Sequence, residues 1–275
     1  MLSFVEAISL AGDRKKQNDD ALGFANGRGW VFDGATDLHE TSLSGWPSDA
    51  AWIAHFANGF LHGARGDLRA CVRGTSAAAA AEFARLSAGR AFEKWQAPIS
   101  SLLMLEETGE GVRGVDLGDS RVFALDAGGG MHVTGGPQEA ADNEAALAAK
   151  QTDADKPLLR RTSTIQMLRR MRAELNREGA SWTFGIDPAC ADHVREWAFV
   201  LKRPAHVLLM TDGFSALADR YRAYDAAGLV RAVLERGLHE LGRELRAIET
   251  EDSGGAKHPR FKASDDATAL LLRLS

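Results

Sequence analysis

The sequence predicts an α+β fold in which short strands alternate along the chain with a few amphipathic helices. The first observation behind this fold class is a series of short apolar runs bounded by turn residues such as Asn26-Gly27, a pattern typical of strands. We expect strands at residues 3–10, 21–25, 30–32, 101–106, 111–116, 121–126, 194–201, 205–211 and 267–274. Glycine-containing turns separate the three middle runs, which predicts hairpins there.

The second observation is apolar residues at helical spacing. A group of large side chains predicts a first helix: Trp52, Ile53, Phe56 and Phe60. The alanine-rich stretch 77–95 predicts a second, and both helices look like layers laid over a sheet. Apolar residues at i, i+4 and i+7 predict one long helix near the C-terminus: Leu229, Val230, Val233, Leu234, Leu238, Leu241 and Leu245.

Residues 137–180 interrupt the strand pattern. The segment is first polar and rich in Ala, Asp and Lys, and then basic, with arginines at 160, 161, 169, 170 and 172. We interpret it as a loop followed by an amphipathic helix, which together form a variable flap or insertion. Since the chain shows no internal repeat and no clear linker, we predict that residues 1–275 form a single domain.

Composition limits the classes of function. The 275 residues are 45% hydrophobic and 26% charged, enough for a substantial core. The 33 basic and 38 acidic residues give a net charge of −5, which argues against nucleic-acid binding through bulk positive charge. The two cysteines, Cys71 and Cys190, form no CxxC pair and suit a reducing compartment. Without a signal-like N-terminus or a membrane-spanning apolar run, we expect a cytoplasmic protein.

The third observation concerns chemistry, because aspartates stand at the ends of the apolar runs. Each of the following lies at the mouth of a predicted strand, where a rigid scaffold can aim its carboxylate: Asp19, Asp20, Asp33, Asp119, Asp212, Asp265 and Asp266. Asp33 and Asp212 are each followed by a glycine, which permits close backbone approach.

Carboxylates gathered at one sheet edge repel one another, so such a cluster persists when divalent cations neutralise it. Oxygen ligands without added histidine or thiolate favour Mg²⁺ or Mn²⁺ over zinc. Two such ions could hold a bridging water, lower its pKa and clamp a phosphoryl group for attack. A lone Asp-Gly pair is usually only a turn signal, so the prediction depends on the joint occurrence of these sites.

Around these aspartates the chain carries five short motifs in order: Asn18-Asp19-Asp20, Val31-Phe32-Asp33-Gly34, Gly118-Asp119-Ser120-Arg121, Thr211-Asp212-Gly213 and Ser264-Asp265-Asp266-Ala267-Thr268. In this order, the motifs resemble the successive signatures of the PP2C-type (PPM) metal-dependent protein phosphatases, in a divergent, bacterial-like form. The resemblance extends over nearly the whole chain, and the set is specific although each member alone is weak.

The resemblance implies a four-layer α-β-β-α sandwich of two mainly antiparallel sheets flanked by helices. It also implies a centre of two Mn²⁺ or Mg²⁺ ions in a cleft at one sheet edge. By residue-to-residue match, Asp33 bridges both ions and Gly34 contributes its carbonyl oxygen. Asp212 and Asp265 match acids that ligate one of the two ions.

The remaining acidic residues match outer positions of the same centre. Asp19 and Asp20 match an acidic pair that acts largely through metal-bound waters. Asp119 matches an acid that helps to hold a third, weaker metal in bacterial members. Asp266 stands where the family usually has asparagine.

Two further positions depart from the family pattern. Ala35 replaces a histidine that eukaryotic members carry as a candidate general acid, and His39 is the nearest histidine in sequence. The family's phosphate-binding arginine falls on Lys15, with Arg14 beside it, so substrate phosphate binding is assigned to this pair. Lysine lacks the bidentate fork of arginine, and a solvated charge run is the alternative interpretation.

The resemblance implies a serine/threonine phosphoprotein phosphatase, in which Asp33, Asp212 and Asp265 act through a metal-activated water that attacks the phosphomonoester. The implied partners are a phosphorylated protein and, as candidates, a serine/threonine kinase or its targets, but no nucleic acid or membrane. Two alternatives stay open. One is a catalytically weak, phosphatase-like binding or sensing module, and the other is a phosphatase of small phosphoesters.

Overall fold

Two antiparallel sheets form the centre of the molecule in the computed structural model, which describes residues 1–136 and 158–275. The strands are β1 (Leu2–Leu10), β2 (Asp20–Ala25), β3 (Arg28–Gly34), β4 (Ile99–Glu107), β5 (Gly111–Leu117), β6 (Arg121–Leu125), β7 (Met131–Thr134), β8 (Phe184–Gly185), β9 (Arg195–Val200), β10 (Ala205–Met210) and β11 (Ala267–Leu274). Every strand predicted from the sequence overlaps one of these, whereas the short strands β7 and β8 were not predicted.

The helices in the described part of the chain are α1 (Asp49–Leu61), α2 (Leu68–Leu86), α3 (Thr162–Glu174), α4 (Asp212–Asp219), α5 (Ala226–Arg236) and α6 (Leu238–Glu251). Except for α3, they lie on the outer faces of the sheets. The predicted helix around Trp52 is therefore confirmed as α1. The stretch predicted as a helix at 77–95 lies mostly in α2, which begins earlier, at Leu68, and ends at Leu86.

Strand order places the chain's first and last strands side by side. One sheet has the order β1-β11-β10-β6-β7, and the other has the order β2-β3-β4-β5-β9, with β8 pairing with β4. The predicted Asn26-Gly27 turn joins β2 to β3, and both residues have positive φ, as a two-residue hairpin loop requires. In this hairpin Asp20 pairs with Asp33, so the register brings two of the predicted ligands to the same end of the sheet.

Alternation along the strands builds three separate cores. In β3, Trp30 and Phe32 pack with α1 and α2, whereas Val31 between them faces the other sheet. In β10, Leu208 and Met210 pack with α4, α5 and α6, and their neighbours join the inter-sheet core. Because successive side chains of a strand point to opposite faces, each sheet is covered on both sides. The four-layer α-β-β-α prediction is thus confirmed.

The single long helix predicted from Leu229 to Leu245 is wrong. The chain forms α5 and α6 instead, separated at Gly237, whose φ of 82° belongs to the left-handed region. The new helix begins with help from a distant strand, because the Glu6 carboxylate accepts a hydrogen bond from the Leu238 N–H at 3.0 Å. The apolar periodicity continues across the break, which is why the sequence pattern did not reveal it.

The basic part of the predicted flap is confirmed as an amphipathic helix, α3, while the loop predicted before it at 137–157 lies outside the described residues. Two arginines attach α3 to the segment that follows β3. Arg169 donates to the Leu38 carbonyl at 2.7 Å and stacks on Trp95, and Arg172 donates to the Thr36 carbonyl at 2.9 Å. Among the described helices, none is long and apolar enough to span a bilayer.

Candidate metal centre

A cavity of about 540 Å³ opens at the edge where the ends of both sheets meet. The predicted ligands that line it are Asp33, Gly34, Asp119, Asp212 and Asp265. α3 and the segment before β11 form its opposite walls through residues such as Met171 and Phe261. The structure therefore brings together the acidic residues that are far apart in the sequence.

One sheet contributes Asp33 and Asp20, which face each other across the β2–β3 pair. Gly34, directly after Asp33, donates its N–H to the Asp19 carbonyl at 3.0 Å. A Cβ at Gly34 would lie 2.5 Å from the Ala50 carbonyl oxygen, closer than any side chain tolerates. Only glycine fits here, because the backbone of residue 34 passes so close to the Ala50 carbonyl. This close packing lets Asp33 lie at the cavity wall.

The other sheet contributes the remaining acids through its connections. Asp212 is the first residue of α4, directly after β10, and Asp265 lies two residues before β11. Asp119 sits in the turn from β5 to β6, next to Gly118 with a φ of 90°, so this turn crosses from one sheet to the other. The centre is thus shared between the sheets.

The carboxylates are close enough to perturb one another strongly. Burial, followed by repulsion from Asp20 and Asp212, raises the pKa of Asp33 well above its usual range. Burial and the charges of Asp266 and Asp265 raise the pKa of Asp20 in the same way. Asp20 Oδ1 is buried and has no hydrogen-bond donor among the described residues.

Asp265 differs from its neighbours. Burial alone would raise the pKa of this carboxyl, but the Lys262 ammonium reverses the effect and holds the pKa below its ordinary value. Lys262 Nζ donates to Asp265 Oδ1 at 2.6 Å. One cationic side chain of the protein itself is therefore already in the acidic cluster.

Three of the predicted residues are not among those that line the cavity: Asp19, Asp20 and Asp266. Asp266 accepts the Gly12 N–H at 2.7 Å and the Asp19 N–H at 2.6 Å, a role in which a carboxylate replaces the family's asparagine well. Asp19 accepts the Ser48 hydroxyl at 2.5 Å, and burial raises its pKa to about 6. Asp20 accepts the Thr211 hydroxyl through its other oxygen at 2.8 Å.

This donor set fits a hard divalent cation. A buried carboxylate oxygen without a donor is costly, and clustered carboxylates stay charged together when a cation neutralises them. All the side-chain ligands are oxygens at one edge of a rigid scaffold, which suits Mg²⁺ or Mn²⁺. Chemically, such an arrangement can bind phosphate oxygens and activate water.

The structure does not bring the predicted phosphate-binding pair into the cavity. Arg14 and Lys15 are exposed in the loop before β2 and are not among the described residues that line it, so their role stays a prediction. The cationic residues that do line it are Arg172, Arg195, Arg220, Arg260 and Lys262. The basic sequence of the flap was a signal for Arg172, whereas no sequence motif identified Lys262.

A second acidic group lies nearby, where Asp37, His39 and Asp49 offer ligand atoms within 4.8 Å of one another. His39 faces Asp49 at 3.6 Å and does not line the cavity. Both carboxylates are already hydrogen-bonded to the start of α1 and the loop before it. We interpret this group as a structural cap of the helix. His39 is therefore not placed to protonate a leaving group in the cavity.

The family comparison agrees with the site. The family model of protein phosphatase 2C matches residues 12–246, which is most of the chain. The chain belongs to the protein phosphatase 2C family, and the resemblance inferred from the motifs is confirmed. Comparison with curated proteins gives no match.

Solved structures share the fold at low sequence identity. The chain is similar to the Mycobacterium tuberculosis serine/threonine phosphatase PstP/Ppp, with a TM-score of 0.58 and 15% identity, covering 100% of this chain and 99% of that one. The catalytic domain of PstP in complex with two manganese ions gives 0.52 and 17%, covering 99% and 97%. RsbX in complex with magnesium gives 0.51 and 11%, covering 100% of both chains.

Proposed function

We propose that the chain is a metal-dependent phosphatase that hydrolyses phosphoserine and phosphothreonine monoesters in proteins. The observation that carries this proposal is the convergence of carboxylates from both sheets on one cavity, with Asp20 Oδ1 buried and without a donor among the described residues. Membership of the protein phosphatase 2C family supports the reaction type. Manganese and magnesium in the similar structures support the choice of metal.

The residues proposed to hold two Mn²⁺ or Mg²⁺ ions are Asp33, Gly34, Asp212 and Asp265, with Asp19 and Asp20 acting through waters and Asp119 at a third position. When bound, the ions supply an activated water as nucleophile and neutralise the phosphoryl oxygens. The protein's own groups keep these ligands in place. Thr211 fixes the orientation of Asp20, and Asp266 ties together the backbone before and after the loop that bears Arg14 and Lys15.

A protein substrate is consistent with where the positive charge lies. Arg14 and Lys15 are exposed outside the cavity, so they act on a substrate large enough to extend beyond it. Arg172 lies in the cavity wall and adds positive charge for an incoming phosphate. That phosphoproteins controlled by a kinase are the partners, that residues 1–275 form one domain and that the protein is cytoplasmic stay predictions.

The proposal is tested by hydrolysis of p-nitrophenyl phosphate and of a phosphothreonine peptide, with and without millimolar Mn²⁺. We expect turnover that requires the metal and is lost in Asp212→Ala. Asp192→Ala is the matched control, because Asp192 forms an exposed ion pair with Arg73 and should keep full activity. No turnover from folded protein that binds Mn²⁺ would refute the proposal.

A second candidate function is a phosphatase-like module that binds a partner or senses a ligand without turnover. The observation that favours it is the absence of Arg14 and Lys15 from the described cavity wall. Robust turnover of either substrate above would exclude this alternative. The ratio of the two activities would also separate a protein phosphatase from a phosphatase of small phosphoesters.

A further inference from the structure

We propose that Lys262 is a built-in counter-cation of this centre, which pairs with Asp265 and competes with a divalent cation for that carboxylate. This inference rests on the proposed function, since it concerns the affinity of the same centre for metal. Its consequence is that the two metal positions are unequal. The position that depends on Asp265 binds its ion more weakly than the position that uses Asp33 without Asp265.

The geometry places the ammonium group inside the acidic cluster. Lys262 Nζ lies 2.6 Å from Asp265 Oδ1, and the side chain lines the same cavity as Asp33 and Asp212. The side chain is 35% exposed and that of Asp265 28%, so neither charge is fully hydrated. The Asp33 and Asp266 carboxylates also act on this ammonium.

The loop that carries Lys262 is held in place by its own contacts. Arg260 pairs with Asp252 at 3.0 Å and donates to the Ala263 carbonyl at 2.9 Å. Asp252 also accepts the Lys257 N–H at 3.0 Å. Arg161, which precedes α3, donates to the Phe261 carbonyl at 3.2 Å. Residues on both sides of Lys262 are therefore fixed, and its ammonium is directed at Asp265 by the folded loop.

The hydrogen bonds show which carboxylate this cation contacts. Lys262 Nζ donates to Asp265 Oδ1 at 2.6 Å. Asp20 instead accepts the Thr211 hydroxyl through one oxygen, and its Oδ1 has no donor among the described residues. Lys262 is thus directed at one particular ligand of the centre.

A divalent cation at Asp265 meets two costs that a cation bound without Asp265 does not. It must take an oxygen that already accepts a strong charge-assisted hydrogen bond, and it must approach the positive charge of Lys262. Such repulsion amounts to about a tenfold change in affinity, or about 1.4 kcal/mol, at the dielectric of a half-buried site. Two ions should therefore bind with separate affinities.

The test is calorimetric titration of the metal-stripped full chain with MnCl₂. Lys262→Met keeps an unbranched apolar stem and removes the charge, so we expect it to tighten the weaker Mn²⁺ binding event by about tenfold or more. Lys262→Arg keeps the charge and should keep that event weak. Lys257→Met is the matched control, since Lys257 is exposed on the same loop, and it should bind as the unchanged chain does.

A second measurement covers the metal-free state. In EDTA, Lys262→Met should melt at a lower temperature than Lys257→Met, because the carboxylate repulsion loses its internal counter-charge. Added Mn²⁺ should then raise its melting temperature by more than that of the unchanged chain. If Lys262→Met does not fold without metal, Lys262→Gln, which also removes the charge but keeps a polar end, takes its place in both measurements.

Equal or weaker Mn²⁺ binding by Lys262→Met would overturn the inference. So would a rise of tenfold or more in the KM for p-nitrophenyl phosphate with unchanged Mn²⁺ affinity, which would make Lys262 a substrate phosphate ligand instead. These outcomes are separable from failure of the proposed function. Titration measures binding whether or not the protein turns over a phosphoester, and absence of turnover in a chain that binds two ions refutes only the function.

Discussion

Two acidic clusters meet near the end of β3, one including Asp33 of that strand and the other Asp37 of the segment after it, and they differ in what their carboxylates contact. In the cluster of Asp37 and Asp49, which we call the cap cluster, backbone N–H groups and hydroxyls occupy the oxygens. In the cluster around Asp33, the neighbours are mostly other carboxylates, and Asp20 Oδ1 has no donor among the described residues.

The difference shows that spacing of acidic atoms is a poor guide to metal binding by itself. The cap cluster has the tighter spacing, yet its charges are already stabilised by the helix N-terminus and its loop. The Asp33 cluster is more dispersed, but its carboxylates repel one another, and Lys262 is a cation that contacts one of them directly. A ligand site is better recognised by unsatisfied oxygens than by the number of acids.

The largest expected effect that separates the clusters comes from Asp33→Asn. We expect Mn²⁺-dependent hydrolysis to fall by on the order of 10³-fold, because a lost ligand removes several kcal/mol of charge stabilisation. The melting temperature in EDTA should stay the same or rise, since one repelled charge is gone. Activity within tenfold of the unchanged chain would remove Asp33 from the centre.

The next largest expected effect is that of Asp49→Ala, which should lower stability and leave metal binding unchanged. Asp49 is fully buried, and its loss leaves the Leu43 and Ser44 N–H groups without their acceptor. We expect the free energy of unfolding, measured in urea, to fall by about 3 kcal/mol. Mn²⁺ affinity of the folded variant should stay within about twofold, and a large loss of affinity would place the cap cluster in the metal site.

The smallest expected effect concerns Asp252. Its carboxylate oxygens, like those of the cap cluster, accept hydrogen bonds from backbone N–H groups. Backbone N–H groups of Lys257 and His258, with Arg260, lower its pKa to about 2 from an ordinary 3.8. The ionised carboxylate of Asp252 therefore contributes its full stabilisation of the fold above about pH 4. This contribution to the free energy of unfolding, about 2 kcal/mol, is lost as the pH falls towards 2.

This window can be checked with Asp252→Asn by urea unfolding at several pH values. The variant should be less stable than the unchanged chain at pH 6, and the gap should narrow as the pH approaches 2. A gap that is the same at both ends would show that the ionised carboxylate of Asp252 is not what stabilises this loop.

The sequence predicted the parts of the site that depend on local pattern. Asp33, Asp212 and Asp265 were found because each stands within two residues of an apolar strand, and strand ends are set by alternation and turn residues. The same alternation predicted the strands, whereas their arrangement in two sheets was implied by the family resemblance. These features need no knowledge of how distant segments pack.

What the sequence could not predict depends on long-range contacts. Lys262 lies in a polar connection with no motif, and its place at Asp265 follows from the Arg260–Asp252 pair that folds the loop. The break at Gly237 was hidden because apolar periodicity continues through it, and the Glu6 carboxylate at the start of α6 comes from the other end of the chain. The exposed position of Arg14 likewise follows from packing rather than spacing.

The division of the centre between the sheets has a mechanical consequence. Asp33 belongs to one sheet, Asp212 follows a strand of the other, and the Asp119 turn runs between them. An ion held by Asp33 and Asp212 would act as a reversible cross-link between two layers that are otherwise joined mainly by apolar contact. Resistance of the sandwich to shear would then vary with the concentration of free metal.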